Sequence, residues 1–357
     1  MPDAPAPAHV TPTQQIVLQQ PSAFGRYGRY LLLALALAVG VIVTQAASYR
    51  SYFSPPNAPQ EKYHSLSETA TKKIAVIHVT GTIVDSDGYV KQQIDRIRED
   101  GDVAAIVLRV DSPGGTVTSS DYLYHHLRKL REDRSLPLVV SMGGICASGG
   151  YYLAMACGDQ PDAVFAEPST WTGSIGVVIP HYDLSGLLAD WQVKDDSIAS
   201  HRFKLMGSPT RELDAEDRAE ERALLQELVD RSFDRFKEVV RNGRPKLAED
   251  EAALARVATG QIFTSGQALE YGLVDRIGFI EDAVHRAVEL AGLSEKTARC
   301  VKYDPPPVTL GSLLNAEGVS TQRRVGPMSL SQLLDLTAPR AYYLCTWLPH
   351  LLGEAVR

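Results

Sequence analysis

"AAIVLRVDSPGG", Ala104 to Gly115, decides the fold class. Its first seven residues, Ala104 to Val110, are aliphatic and largely β-branched over the length of a strand. The Asp-Ser-Pro-Gly-Gly that follows, Asp111 to Gly115, is turn chemistry at that strand's carboxyl end. Three further runs have the same character: "KIAVIHV" (Lys73 to Val79), "PLVVSM" (Pro137 to Met142) and "SIGVVI" (Ser174 to Ile179). Helical patterns lie between them, the clearest from Thr118 to Arg131, and the alternation predicts parallel strands with crossover helices, an α/β fold. Within Leu213 to Val240, Leu224, Leu225, Leu228, Phe236, Val239 and Val240 recur at three-and-four spacing. This predicts a long helix with one buried face, stopped by Asn242, Gly243 and Pro245. The stretch Gly260 to Gly278 and a helix over Ile280 to Ala291 complete the domain.

With 357 residues, 44% of them hydrophobic, the chain can bury a substantial core. The net charge of -7 is spread without a basic run, so there is no electrostatic footprint for nucleic acid. Cys146, Cys157, Cys300 and Cys345 show neither a C-x-x-C spacing nor partnering histidines, and no metal or cofactor is implied. They read as buried apolar residues, with a disulfide open to them if the domain lies outside the cytoplasm.

Between Arg29 and Arg50 stand 20 uncharged residues around the core LLLALALAVGVIV, Leu31 to Val43. At about 1.5 Å per residue they match a ~30 Å hydrocarbon layer. A cleaved signal peptide is the competing reading, with Ala46 and Ala47 as the small residues a peptidase needs; the long polar tail Met1 to Gly25 favours an uncleaved anchor. Arg26 and Arg29 favour a cytoplasmic N-terminus, which puts the bulk of the chain outside. The expected organisation is a cytoplasmic tail over 1–29, an anchor over 30–49 and a linker over 50–72 carrying "SPPNAP". The folded domain follows over 73–293, and an extension over 294–357 carries "SLSQLLDL" and "AYYLCTWLPHLL", expected to pack or to form an oligomer contact.

The chemistry centres on "GGICASGGYYLAMAC", Gly143 to Cys157. A serine that begins a helix, as Ser148 does here, ordinarily caps it. Gly149 and Gly150, however, clear the approach of a substrate carbonyl, and N–H groups at a helix start face developing negative charge, an oxyanion-hole arrangement. The glycines of "DSPGG", Gly114 or Gly115, offer another donor at a strand's carboxyl end, where open α/β sheets gather their sites. The G-x-S-x-G elbow fails at Ser148, where Cys146 takes the first glycine position, and at Ser174, where Thr172 does. His181 and His201 are candidate bases that nothing ties to Ser148. Lys204, within "HRFKLMGSPTREL" (His201 to Leu213), is flanked by Phe203, Leu205 and Met206; buried there, a lysine can be neutral and act as a base, whereas a snorkelling surface lysine cannot.

Taken in order, "DSPGG", "ASGGYY" (Ala147 to Tyr152), "TGSIGV" (Thr172 to Val177) and "FKLMGSPTREL" resemble the signal peptide peptidase A (SppA) family of membrane-anchored serine peptidases, over roughly Lys73 to Leu290. The resemblance implies a Clp protease/crotonase-like fold preceded by one transmembrane helix, in the family's single-copy form, at a bacterial inner membrane with the catalytic domain extracytoplasmic. It implies a Ser-Lys dyad with Ser148 as nucleophile, Lys204 as general base, Ser174 as the hydroxyl that orients the amine, and Gly114 and Gly149 as oxyanion donors. It also implies a homo-oligomer in which serine and lysine can come from adjacent subunits, acting on flexible hydrophobic peptides such as released signal peptides. Cys146 departs from the pattern, standing where a small residue such as alanine is usual. Two other functions are weighed against this one: a catalytically silent scaffold on the same fold, and a crotonase-type acyl-thioester enzyme.

Overall fold

In the computed structural model, residues 23–53, 59–305 and 341–344 are described. They fall into two units, Met1–Pro56 and Asn57–Arg357. The first holds α1 (Ala23–Phe53), whose stretch Tyr27–Ala46, 20 residues, is long and apolar enough to cross a membrane. That stretch begins three residues before the expected 30–49 and so takes in Arg29, which donates to the Tyr30 hydroxyl at 3.1 Å. Leu31, Leu33 and Leu37 all stand exposed on α1.

The second unit is built on β1 (Gln60–Leu66), β2 (Lys72–Thr80), β3 (Val103–Ser112), β4 (Gly114–Thr116), β5 (Leu138–Ala147), β6 (Val164–Ala166), β7 (Trp171–Gly173), β8 (Ile262–Thr264), β9 (Arg276–Ile277), β10 (Ala298–Asp304) and β11 (Tyr342–Leu344). The main sheet runs β1-β10-β2-β3-β5-β6-β9, with β7 on β5 and β8 on β7, while β11 pairs with β4 apart from it. From β10 to β9 every pair is parallel; β1 on β10 and β8 on β7 are antiparallel. The helices are α2 (Tyr89–Glu99), α3 (Val117–Arg134), α4 (Gly149–Ala154), α5 (Ser185–Asp190), α6 (Ala215–Gly243), α7 (Pro245–Ala248), α8 (Glu251–Val257), α9 (Ser265–Glu270) and α10 (Ile280–Leu290).

Both faces of the sheet are covered, which is why its strands read as continuous apolar runs rather than alternations. Ala75, Ile77 and Val79 of β2 join a core with Ile94, Leu123, Leu127, Phe236 and Val239 from the helices of one layer. Ile74 and Val76 of the same strand face Ala283, Val284, Ala287 and Val288 of α10 on the other. The expected α/β class with parallel strands and crossover helices is what the chain forms.

Some elements differ from expectation. The linker expected over 50–72 contains β1, and β10 lies beyond the expected domain end at residue 293; β10 threads between β1 and β2. The strand expected over Ser174–Ile179 is instead β7, ending at Gly173, because Gly173 and Ser174 both take positive φ and turn the chain out of the ladder. In α6 the expected buried face holds only at its C-terminal end: Phe236, Val239 and Val240 are buried, Leu224 and Leu225 are half-buried and Leu228 is exposed. The tail over residues 1–22, the "SPPNAP" centre, Cys345, "SLSQLLDL" and most of "AYYLCTWLPHLL" lie outside the described residues.

Candidate active site

The parallel ladder of β5 against β3 carries a two-residue irregularity: Val110 faces Met142 but Ser112 faces Cys146. The extra residues include Gly143 and Gly144, and the chain that follows is held from three sides. Asp111 accepts the Ile145 N–H through Oδ1 at 3.0 Å, Thr170 donates to the Gly143 carbonyl at 2.7 Å, and Thr172 donates to the Cys146 carbonyl at 2.7 Å. From there β5 runs alongside β7, with Cys146 beside Thr172 and Ala147 beside Gly173.

Ser148 ends this strand at φ 55°, ψ -115°, a conformation that costs a non-glycine residue of order 1–3 kcal/mol. Its N–H donates to the Gly173 carbonyl at 2.8 Å, and its own carbonyl accepts from Tyr152 N–H at 2.8 Å as α4 begins. The side chain makes no capping bond. Its Oγ is buried with no hydrogen-bond partner among the described residues, and the residue is 1% exposed. The ordinary reading of a helix-starting serine, an N-cap, therefore does not describe Ser148.

The glycines around it are required by close approach. A Cβ on Gly149 would lie 2.5 Å from Ser120 Oγ, and one on Gly114, at φ 102°, would lie 2.1 Å from the Tyr343 carbonyl oxygen, 2.7 Å from Gly149 N and 3.1 Å from Ser148 Cβ. Gly114 and Gly149 are thus brought against the serine as expected. As the first residue of α4, Gly149 has an N–H without an intrahelical acceptor, whereas the Gly114 N–H donates to Ser112 Oγ at 3.1 Å. Ser174, also buried, follows directly on Gly173 at φ 51° and donates its N–H to the Gln261 carbonyl at 2.6 Å, so the two serines leave neighbouring strands side by side. Behind them α4 is anchored by Tyr151, which donates to the Leu273 carbonyl, and by Tyr152, which donates to Asp121. Burial, with the Asp121 bond second, pushes the Tyr152 hydroxyl far up, and burial does the same to the Cys146 thiol.

Lys204 is placed otherwise. It lies in the short 3-10 turn Arg202–Leu205 and is exposed, with Phe203, Leu205 and Met206 only half-buried around it. Of the two readings of Lys204, buried or at the surface, the described residues give the exposed one, and among them no bond joins Lys204 to Ser148 or Ser174. His181 and His201 are exposed as well, and His201 Nδ1 accepts from the Phe203 N–H. The residues that sequence reasoning passed over are Asp111 and Thr172: their roles depend on a strand irregularity that no local pattern announces. One further feature went unseen. β11 lies antiparallel on β4, pairing Tyr343 with Gly115 and Leu344 with Gly114, an extended stretch of chain along the glycines beside Ser148.

A strained, buried serine approached closely by two glycines thus stands at the carboxyl end of a parallel strand, where open α/β sheets gather their sites. Residues 131–294 match the profile of Peptidase family S49. The chain is 40% identical over 238 residues to the Synechocystis protein named "Putative protease slr0021", covering 66% of this chain and 81% of that one. To the Enterococcus faecium protein named "Putative signal peptide peptidase SppA" it is 34% identical over 253 residues, 67% of this chain and 70% of that one. To "Serine protease SPPA, chloroplastic" of Arabidopsis thaliana it is 30% identical over 240 residues, 64% of this chain and 32% of that one. The chain belongs to Peptidase family S49 and is a protease.

Proposed function

We propose that the protein is a membrane-anchored serine endopeptidase that cleaves flexible hydrophobic peptides, such as released signal peptides, with a Ser148–Lys204 dyad. The observation that carries this is the buried, unpartnered hydroxyl of Ser148, held at a strained φ with Gly149 and Gly114 against it. In the reaction, Ser148 Oγ attacks the scissile carbonyl while its proton passes to the neutral Lys204 amine. The carbonyl oxygen takes up negative charge beside the Gly149 N–H, with the Gly114 N–H as second donor once Ser112 Oγ yields it. The ammonium then protonates the departing amine, leaving an acyl-serine, and water, deprotonated by the same amine, hydrolyses it. Ser174 aims the amine. β11 on β4 shows how an extended strand fits along these glycines, the mode in which an unfolded peptide would be read by its backbone.

The exposure of Lys204 favours a homo-oligomer in which the amine serves the serine of an adjacent subunit. A lysine acts as a base only as the neutral amine, which a dry interface favours over the charged one. With Arg26 before and Arg29 at the amino end of the apolar stretch of α1, the N-terminus faces the cytoplasm and the catalytic domain lies beyond the inner membrane. Labelling by a serine-directed phosphonate, lost in Ser148→Ala, tests the reading. A wild-type protein that is neither labelled nor able to cleave hydrophobic peptides is a silent scaffold, and coenzyme A binding would instead point to acyl-thioester chemistry.

A further inference from the structure

We propose that Thr172 is a positioning residue for proteolysis: its buried hydroxyl clamps β7 to β5 and so fixes the spacing of Ser148 and Ser174. The inference rests on the reading of Ser148 and Ser174 as members of one site. β7 is three residues long, and its outer partner β8 is equally short. The irregularity at Gly143–Gly144 parts the ladder of β5 with β7, over Ile145–Ala147, from its ladder with β6, over Val140–Met142. So brief a ladder leaves the relative placement of two strand ends weakly determined, and at those ends stand the two serines at φ 55° and 51°.

Side chains supply the missing constraint. Thr172 and Thr170 are each 0% exposed, and each donates its hydroxyl at 2.7 Å to a carbonyl of β5, Cys146 for Thr172 and Gly143 for Thr170. A hydroxyl bond between buried groups is costly to lose because no water replaces the lost donor at the carbonyl. The two bonds match in length and burial and differ in location, the Thr170 hydroxyl also reaching the Met142 carbonyl at 3.4 Å. Thr172 and Cys146 each stand two residues before a serine of the site, whereas Gly143 lies five residues before Ser148 and Thr170 four before Ser174. Thr170 is therefore a built-in control: its loss should cost stability without moving the serines.

The test uses the full-length, detergent-solubilised protein and a hydrophobic peptide substrate, with kcat, KM and Tm measured for each variant. Thr172→Val, which keeps shape and loses the hydroxyl, should lower kcat about tenfold with KM within about twofold. Thr172→Ser, which keeps the hydroxyl, should restore kcat to within about twofold of wild type. Thr170→Val should lower Tm as much as Thr172→Val does while leaving kcat near wild type. Added to Ser174→Ala, Thr172→Val should cost less than it does alone, because no Ser174 hydroxyl remains to be misplaced. Wild-type kcat in Thr172→Val, an equal kcat loss in Thr170→Val, or full additivity with Ser174→Ala would overturn the proposal. If Thr172→Val does not fold, Thr172→Ser decides: a tenfold loss there means methyl packing rather than the hydroxyl matters, and the clamp is refuted. An active Ser148→Ala would instead refute the underlying site, whereas an inactive Ser148→Ala with a fully active Thr172→Val refutes the clamp alone.

Discussion

Ser148 is 1% exposed at the end of a strand braced by Asp111 and Thr172 and closed in by two glycines. Lys204 is exposed, at the end of a segment in which Trp191 and Ile198 are 69% and 100% exposed and α5 buries no residue. That segment is latched to α6 at its far end, where Arg202 pairs with Asp217 and Glu220 and Arg211 with the buried Glu221. Between the latch and Tyr182 its apolar side chains, Leu184, Leu187, Trp191, Val193 and Ile198, have little cover from the described residues. The serine side is closed in by its own chain, whereas the lysine side is an exposed apolar surface, which the proposed homo-oligomer would cover. One covering surface would bury both the apolar side chains and the amine, and a second copy of the chain is the cover the proposed mechanism needs.

The largest effect expected is on the serine side. Ser148→Ala should lower kcat by about a thousandfold or more while the fold and the assembly survive, since the change removes one hydroxyl that has no hydrogen-bond partner among the described residues. Steady-state cleavage together with size-exclusion chromatography checks both halves. On the lysine side Lys204→Arg should be as inactive as Lys204→Met, because a guanidinium stays protonated at any working pH and cannot act as a base. A Lys204→Arg enzyme within tenfold of wild type would return attention to His181 and His201.

An intermediate effect should separate the two regions. Trp191→Asp or Ile198→Asp should leave the monomer folded, since neither side chain is part of the core, yet shift the protein to smaller species and lower activity in step with the loss of assembly. Sedimentation velocity and activity measured over a concentration series would show the two falling together. Gly149→Ala should act on the serine side alone: its Cβ meets Ser120 Oγ at 2.5 Å, so helix α4 or α3 must shift, with a cost of about 1–3 kcal/mol in thermal stability.

How far these regions could be read from residues alone follows the same division. β2, β3, α3 and α10 were legible because each carries an unbroken local pattern, and Ser148 stood out because Gly149, Gly150 and the Asp111–Gly115 turn flank it in sequence. β1 and β10 were not legible, since a strand such as Gln60–Leu66, which carries few apolar residues, exists only through its partner some 240 residues away (Gln60 to Asp304), and no window spans that distance. Ser174–Ile179 looked like a strand because β-branched residues dominate it, but positive φ at Gly173 and Ser174 overrides side-chain preference. The surroundings of Lys204 misled for another reason. Apolar neighbours in sequence do not by themselves bury a residue, and the half-buried Leu224 and Leu225 and the exposed Leu228 of α6 repeat that lesson.

The smallest expected effect lies away from both regions. Burial, then the nearby positive charges of Lys302 and Arg109, holds the His78 imidazole down at about 4 from 6.5. Its folded-state value lies below its unfolded value, so the unfolded chain binds the proton first and stability falls as pH drops from about 6.5 towards 4. His78→Gln should flatten that slope in urea unfolding midpoints, and an unchanged slope would assign the acid sensitivity to other groups.

The central claim is that the serine of one subunit is served by the lysine of the next. Ser148→Ala and Lys204→Met chains, each inactive alone, would be co-assembled in equal amounts by joint solubilisation and reconstitution, with mixing verified by two affinity tags. If the dyad forms between subunits, random mixing gives about a quarter of the interfaces an intact serine facing an intact lysine, and about a quarter of wild-type activity should return. Verified mixed assemblies that remain as inactive as the separate variants would contradict the account and place serine and lysine within a single chain.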